Sequence, residues 1–134
     1  MDVSHINWLA VVAAGLSAFL VGGIWYSNIL FGNAWMTDSD LTPEQIKNSS
    51  KGKKFGFAAL FSFIMAANLA FFLADAKTDV AWGATAGFLT GIWTFCAIGM
   101  HSLFELRSWR HVFINGGYSI VALTLMGTII GLWR

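Results

Sequence analysis

The chain has 134 residues, of which 57% are hydrophobic and only 11% charged, against about 45–50% and 25% in soluble globular domains. A soluble fold this small has too much surface to cover with so few charges, so lipid is the expected solvent of its exterior. A net charge of +1 without a basic stripe of interleaved aromatics argues against a nucleic-acid partner, and the single Cys96 allows neither a disulfide framework nor a CxxC metal site.

Crossing about 30 Å of hydrocarbon takes about 20 apolar helical residues. Four stretches without Asp, Glu, Lys or Arg meet that length, at about 6–28, 55–74, 80–104 and 112–133. The expected fold is therefore one all-α membrane domain over residues 1–134, with four transmembrane helices and a short cytoplasmic helix in the first loop. Span one has no positive segment before it, and it closes on bulky Trp25 and Tyr26 in place of a small-residue cleavage site. It reads as a retained helix and not as a signal peptide. Trp8, Trp82, Trp109 and Trp133 lie near span ends, where aromatic belts form.

The loop over 29–54 is the one long connection. Within it Thr42, Pro43 and Gln45 have the pattern of an N-cap, a first-turn proline and a capping box, which predicts a short helix to about Asn48. Lys47, Lys51, Lys53 and Lys54 in this loop and Arg107 and Arg110 in the third outnumber Lys77 and Arg134 on the other side. That bias puts the first and third loops in the cytoplasm and both termini outside. The second loop, 75–79, is a tight turn, so spans two and three are antiparallel neighbours.

Asn68 is deep in span two, about 20 Å from the cytoplasmic end at 1.5 Å per residue; its expected partner is a neighbouring helix. Span three carries Gly83, Gly87 and Gly91 four residues apart, a helix-packing face whose partner belongs either to this chain or to a second copy. Trp25 and Tyr26 end span one, His101 and Glu105 end span three one turn apart, Arg107 and Arg110 follow, and Asn115 lies one turn into span four. These groups converge on one membrane depth from three helices. One reading makes them a polar, cytoplasm-facing vestibule with the arginines as counter-charges. The other makes them an interfacial network in which Glu105 pairs with an arginine and His101 snorkels to the headgroups. His101, Glu105 and His111 offer too few definite ligands for a metal, and no motif implies a cofactor or a catalytic residue.

The run Gly23-Ile24-Trp25-Tyr26-Ser27, then Leu30-Phe31-Gly32 and Trp35-Met36, resembles the family described as domain of unknown function 1761. So do Phe104-Glu105, Arg107, Phe113-Ile114-Asn115-Gly116-Gly117-Tyr118 and the ending Met126-Gly127 to Trp133-Arg134. The resemblance covers nearly the whole chain; Asn28 departs from it, standing where many members carry proline. It implies a small bacterial four-span protein, and it transfers no catalytic residue. Three functions follow as expectations: a homo-oligomeric transporter or channel first, a scaffold presenting a charged cytoplasmic face second, and an enzyme acting on lipid headgroups third. The first implies the bilayer, further copies of the chain, and a small molecule or ion as partners.

Overall fold

Each long helix begins where a short polar side chain caps an apolar run. In the computed structural model, which describes residues 2–134, Asn7 accepts from the amides of Leu9 and Ala10 and starts α1, Trp8–Trp25. Thr42 and Gln45 form the capping box of α3, Pro43–Asn48. Ser50 caps α4, Lys51–Phe72; Asp79 caps α5, Val80–Phe104; and Ser108 caps α6, Trp109–Leu132. One element was not expected: α2, Gly32–Asp38, lies between α1 and α3. The described residues contain no strand, and α1, α4, α5 and α6 are long and apolar enough to cross a membrane. The fold is an all-α membrane bundle of four spans.

The centre of the bundle is α6, which packs against α5, α1 and α4 and meets α2 at its N-terminal end. The glycines of α5 account for the closest of these contacts. A Cβ on Gly91 would lie 2.7 Å from the Cα of Ile120, and one on Gly83 would collide with the carbonyl of Gly127. The glycine face left open by the sequence is thus covered by α6 of the same chain, backbone against backbone. On the other side, small buried residues (Ala14 and Ala18 of α1, Ala66 and Ala70 of α4) let α1 and α4 meet around Leu69, Leu73 and Met126. The outward faces carry exposed Leu, Ile, Phe and Trp, which lipid covers in a membrane.

The two ends of the bundle are built differently. At the end holding both termini, Arg134 donates to the carbonyls of Leu73 (2.6 Å) and Asp75 at the C-terminus of α4, where cations are favoured. The Asp2 amide donates to Ala74 (2.7 Å), and Asn7 donates to the carbonyl of Trp133 (3.3 Å). At the other end α1 breaks after Trp25 and the chain doubles back. The amide of Gly32 donates to Ser27 (2.9 Å), and a Cβ on Gly32 would stand 2.6 Å from the Tyr26 carbonyl oxygen. That turn lets α2 fold back over the start of α6 as a strap.

Asn68 departs from expectation. It is exposed on α4 and donates to the carbonyl of Ile64 one turn earlier (2.9 Å) in its own helix, because the packed face of α4 runs through Ser62, Ala66, Leu69 and Ala70.

Candidate functional site: a hollow beneath the loop strap

Where α1 and α4 diverge beneath α2 and α3, the bundle leaves a hollow of about 650 Å³, within the usual range of about 300–1,000 Å³ for ligand pockets. Its walls are mainly apolar and aromatic: Phe19, Tyr26, Trp35, Met36, Phe55 and Tyr118. Small residues make the room, since Gly23 lines it and a Cβ there would meet nothing within 4 Å. The lining ends at Phe19 on α1, Ser62 on α4 and Tyr118 on α6, and the buried core residues Ala14, Ala18, Ala66 and Met126 lie beyond.

The aromatic wall is fixed by hydrogen bonds to α6 and α1. Trp25 donates its indole N–H to the carbonyl of Ile114 (2.8 Å), and Tyr118 donates to the carbonyl of Ala18 (2.9 Å). Tyr26 packs edge-on against Trp35, ring centroids 5.5 Å apart, and donates its hydroxyl to Oδ1 of Asn115 (2.7 Å). With Oδ1 so engaged, the Asn115 amide nitrogen donates to Nε2 of His111 (3.1 Å). This order suits a neutral imidazole carrying its proton on Nδ1, which faces the Ser39 hydroxyl at 3.4 Å. A polar chain thus runs from the hollow through buried His111 to the strap.

The strap is pinned by two ion pairs. Arg110 holds both oxygens of Asp38 (2.7 and 2.8 Å), and Arg107 reaches Oδ2 of Asp40 (3.1 Å) and the carbonyl of Asp38 (3.3 Å). The hydrogen bond from Arg110, with its charge, holds the Asp38 carboxyl below the usual value of 3.8.

The structure therefore gathers part of the sequence-derived set. Tyr26 and Asn115 line the hollow and touch, and Trp25 braces its wall. Arg107 and Arg110 lie beside it but are paired with Asp40 and Asp38, which replaces the expected pairing with Glu105. His101 and Glu105 are exposed and do not reach the hollow, which corrects their place in the vestibule. The physical reason is that α5 turns its glycine face and Ser102 toward α6, leaving His101 to the side, while Glu105 caps the end of the helix. Among the described residues His101, Glu105 and His111 form no three-ligand cluster. Trp35, Tyr118 and the two aspartates of the strap are absent from that set, and His111 entered it only as a weighed metal ligand. The one signal available was that Asp38 and Asp40 are acids in a loop on the same side as the two arginines.

Neither the curated proteins nor the solved structures contain a match to this chain. A family model does match it, over residues 9–131, from the first turn of α1 to the last of α6. That span takes in every element of the hollow, and the chain belongs to the family described as protein of unknown function DUF1761.

Proposed function

We propose that this protein is a small membrane carrier that takes a small molecule into the hollow from the cytoplasmic side and works as a homo-oligomer. The observation that carries the reading is the blind shape of the cavity. It is large enough for a ligand, lined by anchored aromatic side chains, and backed by buried core residues. A site closed on one side suits alternating exposure of a bound solute better than an open pore. One copy encloses no route past that core, so a crossing would be completed between copies. Because α6 covers the glycine face of α5, copies would meet through another surface. The basic residues of the α3–α4 region and of the α5–α6 turn support placing this end in the cytoplasm, with both termini outside.

The scaffold alternative, in which the charged cytoplasmic face holds a partner, loses Arg107 and Arg110 to the strap and rests on the loop lysines alone. The test of the carrier reading is solute movement in proteoliposomes, compared with a Gly23→Leu variant that puts a larger side chain into the hollow at a position where the added Cβ meets nothing within 4 Å. Facilitated movement that the substitution stops is the expected result. Movement that is absent, or unchanged by Gly23→Leu, overturns the reading.

A further inference from the structure

We propose, on the carrier reading above, that the hollow accepts a single-chain lipid with an anionic head, its tail among the aromatic residues and its head between Lys53 and Lys54. A second hollow, of about 550 Å³, lies beside the first and shares Lys54 with it; Ser49, Ser50, Lys53 and Phe57 complete its lining. The first is walled by rings and aliphatic groups; the second is a shallow, open depression, itself mostly apolar, with Ser49, Ser50, Lys53 and Lys54 along its edge. Lys54 marks the boundary: its ammonium lies 5.4 Å from the centroid of the Phe55 ring and donates to the Ser49 hydroxyl at 3.2 Å. An apolar hollow whose edge carries Lys54, with Lys53 and the Ser49 hydroxyl next to it, matches a molecule that is apolar at one end and anionic at the other.

The charge around the site favours the same sign. Asp38 and Asp40 are neutralised by Arg110 and Arg107. Among the described residues no carboxylate forms an ion pair with Lys47, Lys51, Lys53 or Lys54, and Glu44 is the one other acid of this loop. The mouth of the hollow therefore keeps a surplus of positive charge, which lowers the cost of bringing an anion against apolar walls. The chamber volume lies in the range of drug-sized ligands, which suits one acyl chain better than two.

The test holds the chain constant and changes the head. Full-length protein in nanodiscs of neutral lipid is titrated with lysophosphatidate, with lysophosphatidylcholine, and with the monoacylglycerol of the same chain, and retained ligand is counted by native mass spectrometry. Lysophosphatidate is expected to bind about 10-fold more tightly than monoacylglycerol, as one charge-assisted contact provides. The Lys53→Gln/Lys54→Gln double variant should bring lysophosphatidate binding down to the level of monoacylglycerol measured on the same variant. If the variant fails to fold, raising the ionic strength on the wild type serves instead, weakening lysophosphatidate alone. Equal binding of all three heads overturns the anionic proposal and leaves the carrier reading standing. No binding of any head, or binding untouched by Gly23→Leu, overturns the lipid proposal, while the carrier reading stands or falls on solute movement in proteoliposomes.

Discussion

Adding one methyl group to Gly91 tests whether the α5–α6 interface holds the bundle together. An alanine Cβ there would stand 2.7 Å from the Cα of Ile120, and ordinary contact begins at 3.4 Å. The neighbour is main chain and cannot rotate away, so the helices must separate by about 0.7 Å locally, and a gap of that size forfeits roughly a quarter to a half of each dispersion contact along the seam. Overpacking of this kind costs about 1–3 kcal/mol. The control is the same substitution at Gly56 on α4, where a Cβ meets nothing within 4 Å. There the higher helix propensity of alanine should add about 0.5–1 kcal/mol. Thermal unfolding in detergent, followed by loss of the monodisperse species, should put Gly91→Ala below the wild type and Gly56→Ala level with it or above. If Gly91→Ala melts no earlier than Gly56→Ala, the α5–α6 contact is not the close backbone packing described and the argument from the glycine stripe fails.

Three further outcomes follow from the loop end. Tyr26→Phe removes the donor to Asn115; a loss of about 1 kcal/mol in unfolding free energy is expected, and wild-type stability would mean that the polar chain contributes nothing. Leu106 is 91% exposed and held at a φ of 61° in the α5–α6 turn; Leu106→Gly relieves that conformation and should stabilise by about 0.5–1 kcal/mol, with an earlier unfolding transition speaking against strain in the turn. Because the folded Asp38 carboxyl is held below 3.8 by Arg110, its contribution is present in full above that value and lost as pH falls through the lower, folded one. Hydrogen exchange of 32–41, corrected for intrinsic rates, should therefore be constant from neutral pH down to the usual carboxylate range and rise below it, and Asp38→Asn should show the raised exchange already at neutral pH.

What the sequence made legible depended on which physical signal each element sends. The span over 80–104 coincides with α5 because Asp79 and Glu105 bracket it with charge. The charge-free stretch of span two begins at Phe55, and α4 begins four residues before it. A count of charge-free residues stops at Lys54, whereas the helix runs on through Lys51, Lys53 and Lys54 to the Ser50 cap. The capping box of α3 was readable because Thr42, Pro43 and Gln45 carry it locally. The seven-residue α2 has no side-chain cap and is too short for a periodic pattern, so nothing in the sequence announced it. At the site, Tyr26 and Asn115 were found by depth alone, and their depth proved to be shared. His101 and Glu105 were misplaced because spacing of i, i+4 states that two residues share a face without stating which way the face points. Projecting the glycine stripe forward from Gly91 would have set His101 about 80° away from it.

The two ends of the bundle also differ in how they resist motion. Near the termini, main-chain groups close the structure: Asp2 and Arg134 bind carbonyls at the end of α4, and Gly131 is packed with 2.5 Å from an added Cβ to the Asp79 carbonyl oxygen. Opening there would break backbone packing over several turns at once. Over the hollow, closure rests on side chains: the two arginine–aspartate pairs, in one of which the arginine is 58% exposed, and a hydrogen-bonded chain ending on Ser39 at 3.4 Å. The Arg107–Asp40 pair, with its aspartate 88% exposed, holds weakly, whereas the bidentate Arg110–Asp38 pair, with its carboxylate only 9% exposed, is the firmer of the two. Breaking these side-chain contacts would release the strap while leaving the backbone packing of α5 on α6 and the core between α1 and α4 in place. A ligand reaching the aromatic chamber would pass beneath a segment held by replaceable contacts, while the helices that line the chamber keep their places.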